Sequence, residues 1–302
     1  MSVALLLLPD FLLILGGALL RRVRGFEAPF WSGTERLVYF VLFPSLLFRS
    51  LARSPLAPGD AARVVAVAIA FTLAGMALSW LARPLLRLPP PTFAACFQCG
   101  FRFNTYIALA AASRIGGEAG LAATSLLVGV LVPLVNFAAI GMLAHGGSGR
   151  LAFALAKNPL VLACVAGFAW QFTGWPLPSV AAHALELLGS AALPLGLLAI
   201  GAGLTLTRTT LPVSAVLWWN GIKLLALPAI AFALALVAGL SPQERQVVVL
   251  LAAVPTAPSA YILATQMNGH GAPVALLIST GTLMALVTLP LWLALVGTVA
   301  AP

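Results

Sequence analysis

Phe101-Arg102-Phe103-Asn104-Thr105-Tyr106-Ile107 and Val254-Pro255-Thr256-Ala257-Pro258-Ser259-Ala260-Tyr261 decide how this chain is read. Tyr106 and Tyr261 mark equivalent places 155 residues apart (261 − 106) in two long apolar segments. Each stretch puts groups hostile to lipid or to a helix at the middle of its segment. An arginine at mid-membrane costs about 2.5–3.5 kcal/mol on insertion scales, so it faces a protein interior or an aqueous cavity. Pro255 and Pro258 remove two amide donors and clash with the turn before them, so the helix is predicted to unwind there.

The equivalence extends outward from these stretches. Pro9 and Gly17 return as Pro159 and Gly167, and Pro44 returns as Pro194, each 150 residues on. Pro133 returns as Pro290 after 157. The chain is therefore two related halves, 1–147 and 148–302, joined at the short flexible stretch His145-Gly-Gly-Ser-Gly-Arg150. If each half crosses a bilayer an odd number of times, the halves are inverted relative to each other.

Composition requires the bilayer. Hydrophobic residues make up 62% of the chain and charged ones 8%, with a mean hydropathy of +1.08, so the chain has too little polar surface to face water. The net charge of +9 sits in short loops, not on a continuous basic face with exposed aromatics, which argues against nucleic acid as a partner. Hydropathy divides the sequence into ten spans: 3–20, 34–52, 61–82, 92–113, 118–144, 152–171, 179–205, 211–238, 246–267 and 272–298. The predicted fold is all-α and integral to the membrane, with five spans per half and the fourth and ninth broken.

Loop charge orients the spans. With the N-terminus outside, Arg21, Arg22, Arg24, Arg83, Arg87, Arg150, Lys157 and Arg208 are cytoplasmic, against Arg53, Arg63, Arg114 and Arg245 outside. Both termini are then outside. Basic residues follow the first segment instead of preceding it, the reverse of a secretory signal, so it is expected to remain as a span.

Breaks at equivalent places in two halves point to a binding site in the shared crevice. Asn104, Thr105, Thr256 and Ser259 are cap-type residues suited to the freed amides where each helix restarts. Restarting half-helices aim their positive ends inward, and Arg102 beside them favours an anion, most simply a carboxylate. Tyr106, Asn136, Pro255, Pro258 and Tyr261 complete the candidate lining. Alternatives stand beside this: a proline kink with no ligand, or an Arg102 paired structurally with Asp10. Asn136 either lines the crevice or bonds a neighbouring helix. Lys223 either joins the site, pairs with a carboxylate such as Asp10, or snorkels toward the membrane surface. Cys96-Phe-Gln-Cys99 has a metal-pair spacing, but no second ligand pair accompanies it, so packing is expected and no cofactor is assigned.

These motifs resemble the auxin efflux carrier family, which includes plant auxin exporters and bacterial transporters linked to malonate, malate and related acids. The resemblance rests on Glu35-Arg-Leu-Val-Tyr-Phe-Val-Leu-Phe-Pro44-Ser-Leu-Leu-Phe, Phe101-Arg-Phe-Asn104-Thr-Tyr-Ile, Pro133-Leu-Val-Asn136, Lys157-Asn-Pro159-Leu, Leu193-Pro194-Leu-Gly-Leu-Leu-Ala-Ile-Gly-Ala-Gly-Leu204 and Pro255-Thr-Ala-Pro258-Ser-Ala-Tyr261. It implies two inverted five-helix repeats, with spans 1, 2, 6 and 7 as a scaffold and spans 3–5 and 8–10 as a transport domain. It further implies crossing breaks at the substrate, elevator-like motion and a homodimer. The chain lacks the long hydrophilic loop of many plant members at 145–157, and 107–112 lacks the proline often found there.

The function expected is secondary transport of a small organic anion. No GxxxxGK[ST] loop is present for ATP-driven pumping, and no HExxH motif or Ser/His dyad points to an intramembrane enzyme. The alternative is a sodium- or proton-coupled exchanger, against which stands the lack of paired acids in either break.

Overall fold

The computed structural model describes residues 3–53, 58–143, 158–204, 209, 211–267 and 271–298. The seam at 145–150 and the cations Arg150, Lys157 and Arg208 lie outside them. The described chain is helical throughout. Helix α1 (Val3–Leu20) is followed by α2 (Ala28–Leu37), which passes through a π segment (Val38–Leu42) into α3 (Phe43–Ala52). Then come α4 (Pro58–Leu86), α5 (Pro90–Phe97) with a 3-10 turn (Gln98–Gly100), and α6 (Thr105–Leu143). The second half runs through α7 (Pro159–Thr173), α8 (Ser179–Gly203) and α9 (Val213–Gly221) with a π segment (Ile222–Ala226) leading into α10 (Leu227–Val237). It ends with α11 (Pro242–Ala253), α12 (Ser259–Gln266) and α13 (Gly271–Thr298).

Among the described residues five stretches are long and apolar enough to cross a membrane: Ala61–Leu86, Pro90–Leu143, Ser179–Gly203, Val213–Val237 and Gly271–Gly297. Leu5–Leu20 and Pro159–Thr173 are shorter apolar helices. The 39-residue α6 bends at Gly117, where φ is +57°, a conformation that side chains beyond glycine rarely adopt. That bend falls between the expected fourth and fifth spans.

Prolines explain the π segments. Each ends one residue before a Phe-Pro or Leu-Pro step, at Pro44 and Pro228, where the ring cannot accept the regular i−4 geometry and the turn widens. The carbonyl that Pro228 leaves free is that of Leu224, and the Trp292 indole of α13 donates to it at 2.9 Å.

Packing follows the repeat. Helix α1 lies on α8, and α3 on α7, the two most extensive helix contacts. A Cβ on Gly17 would sit 1.9 Å from the Leu198 carbonyl oxygen, and one on Gly167 would sit 2.9 Å from that of Phe48. These are equivalent contacts, since Gly167 is Gly17 displaced by 150 and Leu198 is Phe48 displaced by the same 150. Backbones approach this closely only where side chains are absent, which in lipid is a main source of helix association. Leu5, Leu8, Leu12, Leu15 and Leu19 form an exposed stripe along the opposite side of α1.

Candidate functional site

Both predicted breaks are present. The first begins as α5 tightens into the Gln98–Gly100 turn, after which Phe101 leaves the helical region and Arg102 N–H returns to the Gln98 carbonyl at 2.9 Å. Asn104 restarts the chain as α6, its Oδ1 accepting from the amides of Tyr106 at 3.0 Å and Ile107 at 3.3 Å. In the second break, α11 ends at Ala253, Val254 turns extended with ψ at 146°, and α12 starts after Pro258.

The two breaks dock on each other through the groups that the loss of helix frees. Asn104 N–H donates to the Pro255 carbonyl at 2.8 Å, and the Thr256 hydroxyl donates to the Cys99 carbonyl at 2.7 Å. A third link comes from Gln98, whose Nε2 donates to the Ala260 carbonyl at 3.1 Å. The Asn104 amide and the Pro255 and Cys99 carbonyls are thus satisfied across the junction, which helps unwound backbone persist away from water.

Arg102 lies at this junction, 7% exposed. Its Nη1 donates to Gln98 Oε1 and its Nη2 to Asn136 Oδ1. Tyr39, in the first π segment, is near enough to the Asn158 side chain and to Arg102 to interact electrostatically with both. Among the described residues no carboxylate pairs with the guanidinium. Asn104 is 1% exposed, and its Nδ2 donor has no partner. The junction therefore presents a surplus donor and a net positive charge.

The structure divides the predicted residues. Arg102, Asn104, Asn136, Pro255 and Thr256 come together. Thr105 is buried at the α6 start, while the Tyr106 ring stacks on Phe43 at 4.4 Å and 8°. Pro258 and Tyr261 instead wall a cavity of about 470 Å³ with Arg21, Trp31, Glu35 and Gly203, and Arg102, Asn104 and Asn136 do not line it. The capping expectation needs correction at three of four positions. Thr256 spends its hydroxyl on Cys99, Ser259 is exposed, Thr105 caps nothing, and α12 starts on Pro258 with no side-chain cap.

The pairing expected for Asp10 with Arg102 or Lys223 is also corrected. Asp10 pairs with Arg114 of α6 at 3.3 Å, and Lys223, 1% exposed, donates its Nζ to the Ala252 carbonyl at 2.5 Å, the C-terminal end of α11 where a cation is favoured. Glu186 joins Arg49 at 3.6 Å, and Glu118 approaches the same guanidinium at 3.4 Å. The Arg114 side chain is 46% exposed, so losing Asp10 leaves no buried cation behind. Asp10→Asn is accordingly expected to cost about 1 kcal/mol or less and to leave anion affinity unchanged. Binding titration and thermal melting of the purified variant check both; a changed affinity would restore Asp10 to the site.

Gln98, Tyr39, Asn158, Glu35 and Arg21 escaped the sequence reading. Gln98 alone carried a usable signal, since a helical i, i+4 spacing puts it over Arg102. Tyr39 and Asn158 reach the junction by tertiary packing that no local pattern announces.

The fold and the docked breaks frame one comparison. Residues 149–293 match the membrane transport protein family, that of the auxin efflux carriers. The match spans the second half of the chain, including the motifs at 157–160, 193–204 and 255–261. It implies a multi-pass membrane transporter of the auxin efflux carrier type. Members of this family are transporters and not enzymes. No curated protein matches the chain.

Proposed function

We propose that the protein is a secondary transporter of a small organic anion carrying a carboxylate, bound where the two broken helices meet. One observation carries this reading: among the described residues a buried guanidinium is held only by the neutral amide oxygens of Gln98 and Asn136, with the Asn104 side-chain donor unpartnered two residues on. An uncompensated buried charge costs several kcal/mol, a cost that an arriving carboxylate relieves through two parallel charge-assisted bonds.

The architecture proposed is ten transmembrane helices in two inverted five-helix repeats. The reciprocal contacts of Gly17 with Leu198 and Gly167 with Phe48 support it, because a two-fold relation between repeats makes each contact occur twice. Spans 1, 2, 6 and 7 would then be the scaffold, and the helices carrying both breaks the moving domain of an elevator in a bacterial plasma membrane with both termini outside. The pairs Asp10–Arg114 and Arg49–Glu118 run between those two groups of helices and must part as they slide. The α1 stripe from Leu5 to Leu19 would face lipid or a second copy in a homodimer. Crosslinking in native membranes that captures only monomer along the second and seventh spans would overturn the dimer.

Uptake into proteoliposomes tests the function. Aliphatic dicarboxylates, aromatic monocarboxylates and neutral analogues are compared with and without sodium and proton gradients. Acids should move and neutral analogues should not. Movement of Na⁺ or H⁺ without any acid would replace the anion reading by ion exchange.

The second break supplies a separate prediction. Replacing both Pro255 and Pro258 by Ala restores two amide donors and lets α11 and α12 join, which withdraws the Pro255 carbonyl from Asn104. The double variant is expected to transport at least tenfold more slowly, its barrier raised by about 1.4 kcal/mol or more, while retaining some binding. Normal turnover would show that the break is dispensable.

A further inference from the structure

Gln98 is fully buried, with both ends of its amide committed in different directions. Its Nε2 donates to the Ala95 carbonyl at 3.3 Å and to the Ala260 carbonyl at 3.1 Å, so both of its hydrogens are spent on carbonyls. That fixes which way the amide points, because the reverse orientation would face carbonyl oxygens with an oxygen and the guanidinium with donors. Oε1 is left for Arg102 Nη1. The side chain therefore joins three things: the end of the first half-helix, the start of the second restarted helix, and the cation between them.

Resting on the anion reading above, we infer that Gln98 is a positioning residue whose neutrality matters as much as its grip: it aims the Arg102 guanidinium and ties it to α12 without supplying a counter-charge. A carboxylate at 98 would hold Arg102 from the same turn and become its permanent ion-pair partner. An incoming anion would then meet a neutral pair and would have to displace a tethered carboxylate already in place. A side chain with no polar atoms would have the opposite fault, leaving the charge free but poorly aimed and the Ala260 carbonyl without its donor.

Two variants separate this role from plain packing. Gln98→Glu keeps shape and the acceptor oxygen, so if position 98 were only structural it would be the milder change and Gln98→Met the harsher one for every property. The inference expects the orders of affinity and stability to split. Gln98→Glu loses the two Nε2 bonds and turns an oxygen toward the Ala95 and Ala260 carbonyls, but its ion pair with Arg102 offsets that loss, so it should melt above Gln98→Met, yet bind anions about tenfold to a hundredfold more weakly, the worth of a charge-assisted bond. Gln98→Met should melt lower and lose only about threefold to tenfold in affinity. The titrants are acetate, malonate and benzoate, added to purified protein in lipid nanodiscs, with Arg102→Gln as the reference. If wild type bound none of them, the anion reading itself would fall. If wild type bound and Arg102→Gln did not, but Gln98→Glu bound as wild type, the role of Gln98 alone would be overturned. Equal ranking of the two Gln98 variants in affinity and melting temperature would also overturn it.

Discussion

Arg102→Gln is expected to weaken carboxylate binding by about tenfold to a hundredfold, the equivalent of losing a charge-assisted hydrogen bond worth about 1.5–3 kcal/mol. The size of the effect follows from burial. At the surface, water would replace most of what the guanidinium offers; here the side chain is buried and held by Gln98 and Asn136, so little solvent is present to do so. Glutamine retains a donor but neither the charge nor the forked geometry. Arg102→Lys should fall between, because a point charge answers the electrostatics while losing the paired bonds, and it leaves at least one of the Gln98 and Asn136 oxygens unbonded. Folding should survive in both, since the backbone links between the breaks run through Asn104, Pro255, Thr256 and Cys99 and not through Arg102. The measurement is affinity of each folded variant for the acids that wild type transports. Wild-type affinity in Arg102→Gln would remove the arginine from the site.

The breaks were legible because their causes are local. Proline at 255 and 258 cannot sustain a helix, and Arg102 in an apolar run has to be accounted for by protein or water. The way the breaks are tied together was not legible. Thr256 looks like a cap and acts as a tether to Cys99, because the extended backbone around it carries its hydroxyl across to the other break before α12 begins. Asn104 does cap, yet its second amide group is the surplus donor, and only its surroundings reveal that. Charge pairing was the least legible feature. Asp10 and Arg114 stand on helices more than a hundred residues apart in sequence, and hydropathy carries no information on which cation a buried acid will meet. Among the described residues most helix limits lie within a few residues of the expected spans, the start of α2 at Ala28 excepted, because an apolar run is a local feature of sequence whereas partners are set by packing.

Gly17→Ala and Gly201→Ala should be the most damaging single-methyl changes in the chain. A Cβ at 17 would lie 1.9 Å from the Leu198 carbonyl oxygen, and one at 201 would lie 1.7 Å from that of Ile14. Both obstacles are helix backbone, which cannot swing aside as a side-chain tip can, so α1 and α8 would have to move apart along their whole seam. Dispersion weakens steeply with such a gap, and in lipid no hydrophobic force compensates for it. Two effects oppose each other. Alanine improves helix propensity by about 1 kcal/mol over glycine, while overpacking costs about 1–3 kcal/mol and more where backbone must shift. At these distances the clash should win. Gly16 supplies the control, one residue away on the same helix: its Cβ would meet only the Leu198 side chain, at an ordinary 3.6 Å. Gly16→Ala should therefore hold or raise the melting temperature, and Gly167→Ala, at 2.9 Å from the Phe48 carbonyl, should fall between the two extremes. Thermal unfolding and monodispersity of the four variants in lipid nanodiscs give the ranking. If Gly17→Ala and Gly16→Ala melted together, α1 and α8 would not be packed as closely as the structure has them, and the reciprocal contact that relates the two halves would lose its support.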